Sequence, residues 1–286
     1  MSYVQPKDFV TTMVDAGESK VFMSTRDTLV RSFMAGAILA LAAAFAITIT
    51  VQTGSALIGA LLFPVGFCLI YLMGFDLLTG VFTLVPLAVL DKRPGVTKRL
   101  MLRNWGLVFV GNFAGAITVA MMMAVTFTYG FALPPNEIGQ AIGTIGEGRT
   151  VGYAEYGAAG MLTLFTRGVL CNWMVSTGVV AAMMSTSVTG KVLAMWMPII
   201  IFFYLGFEHS VVNMFLFPSG LILGGNFSVL DYLVWNEIPT VIGNLVGGLT
   251  FVGLTLYATH ARTGSARRRV VELPETEQER VPVSAT

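Results

Sequence analysis

Two apolar stretches in this sequence are too long for a single straight crossing of a membrane, and each is interrupted by glycine beside an acid. Residues 56–90 contain Gly74-Phe75-Asp76, and residues 192–223 contain Gly206-Phe207-Glu208-His209. About 20 mainly apolar residues cross the hydrocarbon layer, so each stretch predicts two half-helices joined by non-helical backbone. Such backbone is tolerated at membrane depth only where it is buried in protein or lines a polar cavity. Four more apolar stretches, at about 29–51, 105–129, 158–184 and 239–259, bring the expected number of spans to six. Only 12% of the residues are charged and 55% are apolar, against about 25% charged in soluble domains. A soluble domain is excluded.

The few charges are sorted by position. Lys20, Arg26 and Arg31 precede the first span. Lys92, Arg93, Lys98, Arg99 and Arg103 lie between the second and third, Lys191 between the fourth and fifth, and Arg262 with Arg267-Arg268-Arg269 after the sixth. With six crossings all of these fall on one side, which the positive-inside rule makes cytoplasmic for both termini of a multi-pass inner-membrane protein. The opposite loops carry Glu137, Glu147, Glu155, Asp231 and Glu237 against Arg149 alone. Residues 1–28 are polar, without the basic-then-apolar order of a cleavable signal. They read as a cytoplasmic N-terminal segment before a pore domain at 29–260. Residues 261–286, rich in Arg, Glu and Pro, read as a flexible cytoplasmic tail whose arginines serve topology and anionic headgroups. Seventeen basic against sixteen acidic residues give no excess charge for nucleic acid.

The sequence also repeats itself at an offset of 132. Gly74-Phe75-Asp76 falls on Gly206-Phe207-Glu208, Pro86 on Pro218, Gly111-Asn112 on Gly243-Asn244, and Gly115 on Gly247. Agreement of several Gly, Pro and acidic positions at one offset points to a duplicated three-span unit, about 29–129 and 158–260. Three is odd, so the copies insert with opposite orientations, a pattern of transporters and channels whose path runs near the midplane. The glycines at 111, 115, 243 and 247 are read as close-packing positions.

Each second half-helix is expected to begin near the midplane, around Thr79 and around Asn213, with free N–H groups and a positive dipole end facing the centre. That suits an anion. Phe63 and Phe67, four apart, share a helix face, and with Leu77 and Phe202 they are expected to form narrow apolar rings. A fully charged ion loses hydration there with little compensation, whereas a weak acid that takes up a proton avoids most of that cost. His209 is the histidine within the spans and the side chain suited to proton exchange near neutral pH. A lone histidine in a soluble core is usually structural, but ionisable groups inside a membrane are functional by default. Asp76 and Glu208 read as loop-shaping acids suited to capping the next half-helix. Arg167 is either a positive vestibule lining or a structural donor. Asn172 is placed to hydrogen-bond His209, and Asn112 and Asn244 to tie the broken loops to their neighbours. Two cysteines and two histidines assemble no metal site, sixteen methionines read as packing residues, and no cofactor is implied. A membrane enzyme would need several converging polar groups, which the spans do not supply.

Together these residues resemble the formate/nitrite transporter family. The signature is Gly206-Phe207-Glu208-His209-Ser210 with Asn213-Met214-Phe215. Support comes from Gly74-Phe75-Asp76-Leu77 with Thr79, Gly168 with Cys171-Asn172-Trp173, Asn104-Trp105 with Gly111-Asn112, Gly243-Asn244 with Gly247-Gly248, and Ala16-Gly17 with Lys20. The resemblance implies an all-α, aquaporin-like fold of six spans in two inverted repeats, assembled as a homopentamer with one pore per protomer. It implies transport of formate, or alternatively nitrite or hydrosulfide, with protons as co-partners. By position, Phe63, Phe67 and Phe202 match constrictions, Leu77 and Thr79 the second-span loop, and His209, Asn172 and Asn244 the polar centre. Formate channels commonly carry a lysine at the outer start of the fourth span where Tyr156 stands here, and Arg149 and Arg167 do not align with it. A neutral-solute pore of the aquaporin type is a further alternative, but neither break contains its Asn-Pro-Ala motif.

Overall fold

The computed structural model describes residues 3–261, and within them the chain is helical, without a strand. The tail with Arg267–Arg269 lies outside the described residues. In chain order the helices are α1 (Pro6–Phe22), α2 (Thr25–Thr53), α3 (Ala56–Leu62), α4 (Pro64–Leu72), α5 (Leu78–Leu90), α6 (Lys98–Phe127), α7 (Glu137–Gly148), α8 (Val151–Ala154), α9 (Gly157–Met183), α10 (Val188–Tyr204), α11 (Ser210–Ile222), α12 (Val229–Tyr232) and α13 (Ile238–Gly248). The last two belong to one continuous helix, Val229–Ala261, with π-type turns at Leu233–Glu237, Leu249–Leu254 and Tyr257–Ala261. Each of the six apolar stretches is helical. Three helices, Thr25–Thr53, Lys98–Phe127 and Val229–Ala261, are long and apolar enough to cross a membrane, and α9 has 27 residues.

Both long stretches break where the glycines stand. Gly74 and Gly206 adopt left-handed backbone, with φ of 71° and 66°, which costs glycine little. Phe75 N–H donates to Ile70 O and Gly74 N–H to Tyr71 O, while Phe207 N–H donates to Phe202 O and Gly206 N–H to Phe203 O. These paired bonds form a Schellman end at each break. Leu77 and His209 then turn extended, and α5 and α11 begin. The bounds of α5 and α11, 78–90 and 210–222, differ by 132 at both ends, and each helix contains its proline, Pro86 or Pro218. The second half-helix thus starts at Ser210 rather than around Asn213, because His209 itself caps it. The sequence also hides a break at Phe63-Pro64. Pro64 has no N–H to continue α3, so α4 restarts with proline in its first turn.

Small residues set the helix contacts. A Cβ on Gly115 would overlap Phe33 O of α2, and one on Gly247 would overlap Val169 O of α9, so α2–α6 and α9–α13 pack backbone to backbone, as small-residue interfaces in membranes allow. Residues 137–155, read above as connecting loop, fold into α7 and α8.

The N-terminal segment is docked rather than free. Phe9, Val10, Met13, Val14, Gly17 and Val21 are buried at the spacing of one helix face. A Cβ on Gly17 would fall onto the Leu84 carbonyl of α5, and Asn104 Nδ2 donates to Lys20 O at 3.0 Å. Gly17→Leu is expected to lift α1 from α5, since overpacking costs about 1–3 kcal/mol. Trypsin should then cleave the folded protein at Lys20 about tenfold faster than wild type, and equal rates would show that α1 is not held by this contact.

Candidate functional site

The two broken helices bring their N-terminal ends together. Thr79, in the first turn of α5, and His209, the N-cap of α11, meet through Oγ1 and Nε2 at 3.3 Å. Two positive dipole ends therefore converge on one point. His209 Nδ1 accepts the Val212 N–H at 3.3 Å, which leaves the ring proton on Nε2, directed at Thr79.

The starts of both half-helices are fixed by asparagines 34 residues further along the chain. Asn112 Oδ1 accepts Leu78 N–H at 2.9 Å while its Nδ2 donates to Asp76 O and Ser32 O. Asn244 Oδ1 accepts Ser210 N–H at 3.0 Å while its Nδ2 donates to Glu208 O and Gly168 O. Helix starts otherwise leave donors without partners. Asn112 and Asn244 satisfy them in the same way in both halves, the tying role expected of them. Asp76 and Glu208 do not cap directly. Each shapes its loop by binding a cation instead: Asp76 takes the Lys20 ammonium of α1, and Glu208 takes Arg149 at 3.5 Å.

A cavity lies on either side of the Thr79–His209 contact. The one beside α1 has a volume of about 210 Å³ and is lined by Lys20, Phe67, Asp76, Leu77 and Thr79. The other, about 400 Å³, is lined by Ile47, Arg149, Phe202, His209, Val212 and Leu216. Each thus combines a mainly apolar wall, one cation, and one partner of the central pair. Phe67 and Leu77 line the first and Phe202 the second. Phe63 lines neither: fully buried, it stacks on Phe203 at 3.9 Å between ring centroids and meets Phe202 edge-on at 5.7 Å. It supports the ring that does line the cavity, and Phe202 in turn lies 5.6 Å from the His209 ring.

The bond expected between Asn172 and His209 is not formed. Asn172 Nδ2 donates to Asn244 O at 2.7 Å and Thr79 O at 3.2 Å, and its Oδ1 accepts Ser176 Oγ–H. Its position on α9 aims it instead at backbone carbonyls of α5 and α13. Arg167 Nη1 donates to Tyr153 Oη at 2.7 Å, its guanidinium lies over the Tyr153 ring, and Tyr153 donates on to Glu208 Oε1 at 2.8 Å; Arg167 also lines a further cavity of about 380 Å³ with Tyr153 and Tyr156.

The family model described as formate/nitrite transporter matches residues 7–258. The chain belongs to the formate/nitrite transporter family. A curated relative named "Probable formate transporter", from Methanothermobacter thermautotrophicus, is 34% identical over 276 residues, covering 91% of this chain and 98% of its own length. Two solved structures share the fold at 24% identity. An "FNT family ion channel" matches with a TM-score of 0.75 over 88% of this chain and 99% of that one. A "Pentameric formate channel with formate bound" matches with a TM-score of 0.67 over 82% and 96%. This member of the family is accordingly a helical, multi-pass membrane protein, and the family is one of channels and transporters rather than enzymes.

Two features of this family member escaped the sequence reading. Arg149, which does not align with the lysine of formate channels, is the cation lining the larger cavity; its isolation on an otherwise acidic side is the sequence signal for it. Glu237 was assigned to an outer loop, but it is 3% exposed inside the last helix. A five-residue spacing from Tyr232 was the available clue, because it signals contact only where the helix widens into a π-type turn.

Proposed function

We propose that this chain is a channel or transporter for small weak-acid anions, with formate as its principal substrate, and that His209 assists proton uptake during passage. The observation that carries this reading is the Thr79–His209 contact between two cavities, each holding one cation. Arg149 or Lys20 draws the anion from either side. The converging positive ends of α5 and α11, Thr79 Oγ1–H and the His209 Nε2–H stabilise it at the centre. Protonation at or near His209 converts formate to formic acid, which passes Phe67, Leu77 and Phe202 with a far smaller desolvation cost than the ion, and the proton leaves on the far side.

The same reading takes the helices as six spans in two inverted three-span repeats at about 29–129 and 158–260, flanked by the cytoplasmic segments 1–28 and 261–286. The matched bounds of α5 and α11 and the parallel asparagine bonds support the duplication. The clustering of Lys20 and Arg93 near α1, with Glu137, Glu147 and Asp231 in the opposite connections, supports cytoplasmic termini in an inner membrane. The pentameric solved relative supports a homopentamer with one pore per protomer.

Purified protein in proteoliposomes should take up formate, faster as the external pH falls. Water permeability without anion flux would overturn the reading, and stronger competition by nitrite or hydrosulfide than by formate itself would reassign the substrate.

A further inference from the structure

Two buried acids, Glu208 and Glu237, are linked through Asn236, which precedes Glu237 and bonds Glu208, and their surroundings differ sharply. Glu208 is fully buried and accepts four hydrogen bonds: Arg149 Nη1, Asn213 Nδ2 and Asn236 Nδ2 reach Oε2, and Tyr153 Oη–H reaches Oε1. Four donated bonds, one from a guanidinium and one from a hydroxyl whose oxygen already accepts from Arg167, are the environment of a carboxylate. Glu237 is as deeply buried, but its Oε2 accepts only the Tyr232 hydroxyl at 2.9 Å, its Oε1 has no partner, and among the described residues no cation pairs with it.

The placement is built by the helix. Residues five apart point about 140° away from each other on an α-helix of 3.6 residues per turn. The π-type turn Leu233–Glu237 widens the helix so that Tyr232 and Glu237 meet, and such turns are frequent at functional sites. The same turn buries Asn236, whose Nδ2 bonds both Glu208 and Arg149 O.

We propose that Glu237 is a second proton-binding site of this protein, separate from His209, whose occupancy sets the net charge of the Arg149–Glu208–Arg167 cluster. A buried carboxyl with an idle oxygen and no counter-ion is accommodated as the neutral acid, whereas its neighbour is accommodated as the anion. The turn carrying Glu237 packs against α8, α9, α11, α12 and α13. Tyr153 of α8, Arg167 and the Cys171 thiol of α9, and Asp231 and Tyr232 of α12 are the titratable groups these supply; α11 and α13 supply none. Asp231 is half-buried and engaged in the Ser228 capping box, and Glu208 and Arg149 join through Asn236. With Glu237 protonated, two guanidinium groups face one carboxylate and the cluster is positive by one. With Glu237 ionised it is neutral and draws anions less well.

The proton itself does not depend on which solute passes, while the effect on flux rests on the anion-channel reading. Infrared titration of the wild-type protein in membranes, without substrate, should show a carboxylic-acid C=O band that is lost as pH rises. Glu237→Gln, which keeps an acceptor for Tyr232, should abolish that band, and Glu237→Met, which needs no partner, should do the same if the Gln variant fails to fold. In proteoliposomes the ratio of variant to wild-type formate uptake should be near one at acidic pH and rise to about threefold or more at alkaline pH. A band that survives both substitutions, or a ratio that stays flat with pH, overturns the proposal. Wild-type protein that moves no formate overturns the functional reading instead and leaves the infrared result to decide this one.

Discussion

Formate flux through proteoliposomes carrying His209→Asn should fall by about a hundredfold, the contribution typical of a positioned acid–base group, and should keep only the roughly threefold pH dependence assigned to Glu237. Asparagine is the informative replacement. It is among the favoured N-cap residues, so it can accept the Val212 N–H that His209 Nδ1 now accepts and leave α11 intact. Alanine would remove the cap as well, at about 0.5–2 kcal/mol, and would mix a folding defect with a transport defect. What asparagine lacks is a titratable ring and the reach to Thr79. The measurement is initial uptake at two pH values, with thermal unfolding in detergent as the check on folding. Flux that retains its size and pH dependence would leave His209 as a cap alone and remove it from the transport step.

Asn244→Leu should be the most damaging substitution to stability. The side chain is buried and serves three backbone groups: Ser210 N–H, Glu208 O and Gly168 O. Leucine has a similar size and serves none. Gly168 O keeps its own helix bond within α9, so Ser210 N–H and Glu208 O are the groups left unpaired; at about 1–3 kcal/mol each even the low end removes about 2 kcal/mol, a large share of the roughly 5–15 kcal/mol that holds a typical domain together. Expected results are a fall of many degrees in unfolding temperature or failure to recover folded protein. Asn112→Leu should behave alike, since it deprives Leu78 N–H, Asp76 O and Ser32 O. Exposed Asn226, whose side chain holds no such bonds, can be changed to serine for less than about 0.5 kcal/mol. An Asn244→Leu protein as stable as that control would show that the half-helix is held by other means.

The helix positions were legible because they depend on signals local in the chain. Hydropathy marked the six stretches, Gly74 and Gly206 marked turns that need left-handed backbone, and the 132-residue offset coincides with the bounds of α5 and α11 to the residue. Partner choice was less legible. Asn112 and Asn244 were placed correctly because they recur at that offset. Asn172 has no counterpart to compare, and it bonds to backbone atoms of α5 and α13 that only the packed structure brings to it. Phe63 and Phe67 share a helical spacing, yet the break at Pro64 separates them, so one supports a cavity wall that the other lines. Glu237 looked like a loop acid because acids cluster in the outer connections, and a π-type turn leaves no mark in hydropathy.

The N-cap made by His209 has a thermodynamic consequence. Nδ1 has one lone pair and two claimants, the Val212 amide and a proton. When the proton takes it, the imidazole becomes a cation and the Val212 N–H is released at the same moment, so a free helix donor and a positive ring appear together where an anion would rest. An anion at the centre therefore favours the protonated ring, and the protonated ring favours the anion. Such reciprocal coupling is obligatory for two ligands that share one equilibrium. It would let the protein load proton and formate as a pair with no moving part beyond the first turn of α11.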